Sequence, residues 1–322
     1  MESEIVAKPK VAIVLGATCS GCDYSLLDLG AGLLDVTDQV EIVYWPTGID
    51  SKLGDLEAVP DGGVDLILFD GAVVNEDNLE MARLSRRKAK MLAAFGSCGT
   101  YGGIPGLINT GSPKKILLEV YQNLPSRSDK AEPLCFEGED ALPKMLGQAY
   151  ALDQVVDVDV YLPGCPPPLK LVANLFTDVL AGKEIPKGTY YASNRAVCYE
   201  CKRVKENKDI VALHRYHEIQ PDATRCLLEQ GIVCLGPATR GGCDAVCCTQ
   251  NQPCRGCLGP LPNSVDSGSE MMSALASVMS LDDENKDADY ADIFDNLNDT
   301  LGSFYMFTLP KSILGRRKVD QG

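Results

Sequence analysis

Short apolar runs alternate with helical stretches through the first half of the chain. Segments 23–35 and 76–89 have helical composition, and around them lie apolar or β-branched runs that close at Gly, Pro or Asp. Continuous apolar runs of this kind are typical of strands that are buried on both faces of a parallel sheet. The pattern therefore predicts a doubly wound α/β domain over residues 1–185. The predicted strands are 11–16, 40–45, 64–71, 91–96 and 158–164.

The alternation of strand and helix does not continue through the whole chain. Segment 105–150 is rich in Pro, Gly and acidic residues, and it is predicted to be a long insertion before the last strand. From 186 to 262 cysteine, glycine and proline dominate. We expect this segment to be a second, irregular domain in which bound inorganic groups substitute for an apolar core.

The tail, 263–322, combines three kinds of sequence. Residues 270–280 have helical composition, 282–299 are strongly acidic, and 304–310 are apolar. The acidic stretch lacks the central glycine and the terminal glutamate of an EF-hand loop. It is therefore expected to be a solvated or partner-facing surface rather than a calcium site.

Charge and the length of the apolar runs narrow the classes of function. The formal net charge is −15, which argues against nucleic-acid binding because that function requires a clustered basic face. No window reaches the roughly 18–20 apolar residues of a membrane span, and the acidic start offers no signal peptide. We expect a cytoplasmic protein, in which thiols stay reduced and metal ligation is favoured over disulfide bonding.

The chain has 14 cysteines, and four of them follow predicted strands. Because ligands of an open α/β sheet lie outside the carboxyl ends of its strands, we expect these four thiols to converge at one edge of the sheet. Four thiolates per site suit either a tetrahedral zinc ion or an iron–sulfur cube. The alternative is that Cys98 and Cys165 are buried small hydrophobic residues. The set consists of Cys19, Cys22, Cys98 and Cys165.

Further cysteines are concentrated between residues 198 and 257, and they suffice for two more sites of four thiols. Spacing alone does not exclude an interleaved division. Cys247 and Cys248 are adjacent, and Cys247 is taken as a ligand because its C-x3-C spacing closes more easily onto one site. Cys135 and Cys248 are then left over. The two groups are Cys198, Cys201, Cys226 and Cys234, followed by Cys243, Cys247, Cys254 and Cys257.

Iron–sulfur clusters explain these cysteines better than zinc does. Paired C-x2-C motifs also occur in zinc sites, so a zinc-stabilised scaffold protein is the main alternative of a different class. Three four-thiol sites in succession suit electron transfer more than stability alone. His214 and His217 lie in a charged stretch and are expected at the surface, and GSCGTYGG (96–103) lacks the ending of a phosphate-binding loop.

Five stretches around the cysteines are distinctive: TCSGCDYSLLDL (18–29), GSCGTYGGIPG (96–106), LPGCPPP (162–168), CLLEQGIVCLGPATRGGCDAVC (226–247) and PCRGC (253–257). Together they closely resemble the small, electron-transferring subunit of nickel–iron hydrogenases. The nearest similarity is to the cytoplasmic, methyl-viologen-reducing (non-deazaflavin-reducing) type of methanogenic archaea. The resemblance covers nearly the whole chain, including the apolar stretch at 304–310.

The resemblance implies a flavodoxin-like first domain and three 4Fe–4S clusters. Many members of the family have His in place of Cys198 and a three-iron medial cluster with Pro in place of one Cys. Here Cys198 and Cys247 supply thiolates, so a four-iron cube is expected in each site. The implied ligands are Cys19, Cys22, Cys98 and Cys165 for the proximal cluster (the proximal set), Cys243, Cys247, Cys254 and Cys257 for the medial cluster (the medial set), and Cys198, Cys201, Cys226 and Cys234 for the distal cluster (the distal set).

The function that the resemblance implies is electron relay. Hydrogen would be oxidised at a nickel–iron centre in a large partner subunit, with no catalytic residue in this chain. Electrons would pass from the proximal to the medial to the distal cluster and then to a downstream iron–sulfur or flavin subunit, such as one linked to heterodisulfide reductase. The alternative is the small subunit of a deazaflavin-reducing hydrogenase or of a sulfhydrogenase.

Residues of this chain disfavour two related identities. A large hydrogenase subunit has a His three residues after its last Cys, whereas Cys257 is followed by Leu-Gly-Pro. The cluster subunit of respiratory quinone reductases resembles the first domain, but it has adjacent cysteines in its first motif. Here two residues separate Cys19 from Cys22.

Overall fold

The structure, a computed structural model, describes residues 8–123, 142–206, 210, 212–264, 266–279, 297 and 299–315. Its strands are β1 (Lys10–Leu15), β2 (Glu41–Tyr44), β3 (Val64–Asp70), β4 (Val73–Asn75), β5 (Ala89–Phe95), β6 (Met145–Tyr150), β7 (Val160–Leu162) and β8 (Thr189–Tyr190). Six of them form a sheet in the order β2-β1-β3-β5-β7-β8, in which every pairing is parallel. The first five of these match the predicted strands in the flavodoxin-like order, so the predicted fold is confirmed.

Helices cover both faces of this sheet, and one of the two helices predicted for the first domain is confirmed. Helix α4 matches the prediction at 76–89, and its first turn is capped by the Asn75 side chain, which accepts the N–H of Asn78 at 2.8 Å. The helices are α1 (Gly21–Leu27), α2 (Ala31–Thr37), α3 (Leu53–Ala58), α4 (Glu76–Lys88), α5 (Gly96–Tyr101), α6 (Pro113–Leu118), α7 (Leu169–Leu180), α8 (Val246–Thr249), α9 (Ser267–Ala276) and α10 (Thr300–Tyr305).

The prediction of a single helix over 23–35 is wrong. The segment forms α1 and α2, and the chain between them passes through Gly30 with φ of 57°. This left-handed conformation is open to glycine and interrupts an α-helix. Helix α7 was not predicted at all; it begins directly after the prolines at 166–168, where proline is compatible with a helix start.

Each face of the sheet has its own apolar core. Ile13 and Leu66 pack on one face with Leu175 of α7, and Val14 and Ile67 pack on the other face with residues of α4. All five of these side chains are at most 2% exposed. The predicted insertion at 105–150 contributes α6 and β6, and β6 pairs antiparallel with β4; its residues 124–141 lie outside the described part of the chain.

The cysteine-rich segment shares a third apolar core with the tail. Ile210 and Leu213 of the segment pack with Met271 of α9 and Phe304 of α10. The tail thus supplies apolar side chains in a region where the sequence predicted inorganic groups alone. The predicted helix at 270–280 is confirmed as α9, which begins three residues earlier, and the acidic stretch 282–299 lies outside the described residues except for two positions.

No helix in the described ranges is both long enough and apolar enough to cross a membrane.

Candidate metal centres

The fold brings the proximal set together at the carboxyl ends of the parallel strands. Cys19 and Cys22 follow β1, Cys98 lies in α5 directly after β5, and Cys165 follows β7. Burial raises the pKa of Cys22, and the nearby Cys98 and Cys165 thiols add to the shift. Burial and the Cys165 thiol likewise raise the pKa of Cys98 to about 12. The two outer thiols, Cys19 and Cys165, are exposed, so this end of the sheet presents sulfur at the surface.

Two glycines leave the space that the sulfur atoms of the proximal set occupy. Gly96 has φ of 76°, and a Cβ at this position would overlap the Cys22 sulfur. Gly103 has φ of 52°, and a Cβ there would lie 2.5 Å from the sulfur of Cys98. Both positions therefore require glycine for the backbone conformation and for the close approach to sulfur.

A buried carboxylate, which the sequence analysis did not single out, lies against this set. Asp70 ends β3 and is fully buried; it accepts hydrogen bonds from the Thr18 hydroxyl at 3.0 Å and from the Cys22 thiol. Its second oxygen, Oδ1, has no hydrogen-bond partner among the described residues. Burial raises the pKa of Asp70 to about 6. Burial and the Asp70 carboxylate thus disfavour the ionisation of Cys22, Cys98 and Cys165, and binding of iron would have to displace their protons.

The four thiols of the distal set line one cavity of about 350 Å³. Burial raises the pKa of Cys198 to about 11, and the nearby thiols of Cys226 and Cys234 add to the effect. Lys205, which also lines the cavity, opposes it. A Cβ at Gly236 would lie 3.1 Å from the Cys198 sulfur, so glycine again gives the backbone access to the thiols.

The medial set is brought together by a tight turn and by the loop that ends at Cys257. Cys243 and Cys247 flank Asp244 and Ala245, whose φ values are 55° and 50°. Burial raises the pKa of Cys257 to about 12, and both Cys243 and Cys247 contribute. Cys254 is close to Cys234 of the distal set and also to Cys257. The division of these thiols between two clusters therefore stays a prediction.

Two backbone hydrogen bonds connect the three sets in series. The N–H of Cys165, in the proximal set, donates to the sulfur of Cys257 in the medial set. The N–H of Cys254, in the medial set, donates to the sulfur of Cys234 in the distal set at 3.3 Å. The spatial order is consequently proximal, medial, distal, although the distal set precedes the medial set in the sequence.

The cysteines and histidines that were not assigned to a set lie in different surroundings. Cys248 lines the cavity of the distal set and is only 3% exposed. A side-chain interaction between the two thiols lowers the pKa of Cys234 and raises the pKa of Cys248. Cys135 lies outside the described residues. His217 is exposed and His214 half-buried, and neither lines the cavity of the distal set.

The donor chemistry of the three sets fits iron–sulfur clusters. Within the described ranges, no group of three or more His, Cys, Asp or Glu side chains is arranged to hold a single metal ion. Each set offers four thiols, which is the ligand number of a 4Fe–4S cluster. Glycines stand where a Cβ would crowd the sulfur atoms of the proximal and distal sets.

Comparison with known proteins gives matches along nearly the whole chain. The family described as NADH ubiquinone oxidoreductase, 20 Kd subunit, matches residues 19–179. The chain is 37% identical over 320 residues to the iron–sulfur subunit of the F420-non-reducing hydrogenase of Archaeoglobus profundus, and the match covers 96% of this chain and 98% of that protein. It is 34% identical to a subunit of the F420-non-reducing hydrogenase of Methanothermobacter marburgensis, with 98% and 99% covered.

The fold is also found in a solved hydrogenase structure. A chain of the NiFeSe hydrogenase from Desulfovibrio vulgaris Hildenborough superposes with a TM-score of 0.52 at 18% identity, covering 80% of this chain and 95% of that one. At this identity the likeness supports the fold alone. The sequence similarity carries the assignment: the chain belongs to the small-subunit family of nickel–iron hydrogenases and is similar throughout to its relatives in the F420-non-reducing enzymes.

Proposed function

We propose that this chain relays electrons from hydrogen oxidation in a large partner subunit through three 4Fe–4S clusters. The observation that carries the proposal is the serial arrangement of three four-thiol sets, joined by the hydrogen bonds from Cys165 to Cys257 and from Cys254 to Cys234. When bound, the clusters would supply the one-electron steps. The chain itself would fix their order, their burial and the hydrogen bonds to their sulfur ligands.

The two hydrogen bonds put neighbouring sets in direct contact. Each one starts at the backbone of a ligand in one set and ends on the sulfur of a ligand in the next set. N–H donors to ligand sulfur also help to determine the reduction potential of a cluster. The same contacts would thus position neighbouring sites and adjust the reduction potentials of their clusters.

The large subunit is proposed to dock where the proximal set reaches the surface. Cys19 and Cys165 are exposed there, and α1 and α2, which follow Cys19 directly, expose apolar side chains. Tyr24 is 58% exposed, Leu27 48% and Leu34 67%. An apolar surface next to exposed ligand thiols suits a permanent partner, and we expect an interface of more than roughly 2,000 Å².

The electron acceptor is proposed to be an iron–sulfur or flavin subunit, such as one linked to heterodisulfide reductase. The relatives cited above are named F420-non-reducing hydrogenases, which favours an acceptor other than the deazaflavin F420. The described cysteines are all free thiols, and we place the chain in a reducing compartment, the cytoplasm. Purification without oxygen, followed by identification of the proteins that stay bound, tests both partners.

The cluster content is the decisive test of the relay. Anaerobically purified protein should contain about twelve iron and twelve sulfide per chain, by the four-per-cube count. Its absorption should bleach on reduction. About eight iron per chain would remove one of the three sites, and zinc in place of iron would show a scaffold instead of a relay.

A further inference from the structure

Cys248 occupies the same cavity as the distal set, although its neighbour in sequence is a member of the medial set. Both cysteines lie in α8, where adjacent side chains point in different directions. Cys247 is exposed, whereas Cys248 is 3% exposed and lines the distal cavity. The cavity therefore contains a fifth thiol in addition to Cys198, Cys201, Cys226 and Cys234.

The contact that Cys248 makes there is with one specific ligand sulfur. Its thiol and the sulfur of Cys234 line the same cavity and interact there. Because Cys234 would bind iron as a thiolate, Cys248 would be the hydrogen-bond donor of this pair. The sulfur of Cys234 also accepts the backbone N–H of Cys254 at 3.3 Å. Cys234 is thus the ligand through which the medial set contacts the distal set, and it is also the one that receives the side-chain donor.

A buried arginine fixes the position of Cys248. The Nε of Arg203 donates to the carbonyl oxygen of Cys248 at 2.8 Å, and Nη2 donates to the side chain of Asn251 at 2.6 Å. Nη1 donates to the carbonyl oxygens of Asp222 and Arg225 at 2.8 and 2.9 Å. Arg203 is 9% exposed and also lines the cavity. Because the guanidinium is planar and rigid, these bonds hold the end of α8 and keep the Cys248 thiol directed into the cavity.

We propose that Cys248 is a tuning residue of the distal site: it donates a hydrogen bond to Cys234 and raises the reduction potential of the cluster that the distal set would hold. The inference rests on the proposed function. A reduced cluster carries one more negative charge than an oxidised one, and a donor on its sulfur ligand stabilises that charge, so the potential rises. A higher potential at the end of the relay favours the flow of electrons away from the hydrogen-splitting partner.

The test is a redox titration of the complete anaerobic complex, followed by electron paramagnetic resonance, with three variants of this chain. Cys248→Ala removes the donor, and we expect one of the three midpoint potentials to shift to a lower value while the other two and the iron content stay unchanged. Cys248→Ser keeps an O–H donor and should leave that potential nearer to the native value. Gln250→Ala, an exposed change in the same segment, should alter none of the three.

Two results would overturn the proposal. An unshifted set of potentials in Cys248→Ala would mean that the thiol has no influence on the site. Loss of about four iron per chain in Cys248→Ser would mean that Cys248 is itself a ligand, and this measurement stands even if the alanine variant fails to fold. Failure of the proposed function would look different, because the native complex would then lack the clusters altogether.

Discussion

The backbone N–H of Cys254 donates to the sulfur of Cys234 at 3.3 Å in the buried region between the medial and distal sets. The two residues are predicted ligands of different clusters, so the ligand loop of one site helps to form the other. Cys226, by contrast, belongs to the distal set alone, and its own N–H donates to the carbonyl oxygen of Val204. Loss of Cys254 should therefore impair both the medial and the distal site, whereas loss of Cys226 should impair the distal site alone.

Replacing each of these two cysteines by serine tests this difference. Cys226→Ser should remove about four iron per chain, the content of one cube. Cys254→Ser should remove more, because the released loop also withdraws the hydrogen bond to Cys234. Iron and sulfide analysis of the anaerobic proteins measures both. Equal losses in the two variants would show that the sites assemble independently.

Cys98→Ser should disable the proximal site, although the spacing of cysteines in the sequence does not pair Cys98 with any other. Its thiol lies with those of Cys165 and Cys19 at the carboxyl ends of the strands. We expect loss of about four iron per chain and loss of hydrogen-dependent dye reduction by the complex. Cys135→Ser is the control and should retain both; equal sensitivity of Cys135 would contradict the division of the cysteines.

Gly96→Ala should impair the proximal site without any change of ligand. The added Cβ would overlap the sulfur of Cys22, and φ of 76° is itself unfavourable for alanine. We expect a reduced iron content and a lower rate of hydrogen-dependent dye reduction. Gly54→Ala is the matched control: nothing lies within 4 Å of its added Cβ, and alanine in α3 is favoured over glycine by up to about 1 kcal/mol. Full iron content in Gly96→Ala would show that the loop adapts.

The strands and the proximal set could be predicted because their signals are local or follow from a general rule of the fold. Each strand is a short apolar run, and parallel strands place their carboxyl ends at one edge of the sheet. Trp45 follows β2 and is 4% exposed. Its indole N–H donates to Asp23 beside Cys22, and no sequence pattern indicated that this buried aromatic residue anchors the first ligand loop.

What the sequence did not predict depends on contacts between distant segments. Asp70 resembles any acidic residue that ends a strand, and only the packing of β1 against β3 places it beside Cys22. Cys248 appeared spare because adjacent cysteines cannot be assigned by spacing, and the direction of its thiol depends on Arg203, 45 positions earlier. The core that α9 and α10 add to the cysteine-rich segment likewise depends on long-range packing.

Tyr101, at the end of α5, connects the proximal set to the medial set. Its hydroxyl donates to the carbonyl oxygen of Leu258, the residue after Cys257, at 3.0 Å, and both side chains are at most 2% exposed. Gly259 has φ of 74°, and a Cβ there would overlap the Tyr101 ring. The tyrosine thus holds the end of the medial loop against the helix that carries Cys98.

Tyr101→Phe should therefore weaken the contact between the medial loop and α5 while leaving every thiol in place. The buried carbonyl of Leu258 would lose its donor, at a cost of about 1–3 kcal/mol. We expect a lower midpoint of thermal unfolding for the anaerobic protein, with the iron content before heating unchanged. Tyr199→Phe, at a position that is 74% exposed, is the control and should unfold at the native temperature. If both variants unfold like the native chain, the Tyr101 hydrogen bond does not stabilise the contact between the proximal and medial sets. That contact would then depend on other bonds, such as the one that the Ser97 hydroxyl donates to the carbonyl oxygen of Cys257 at 2.6 Å.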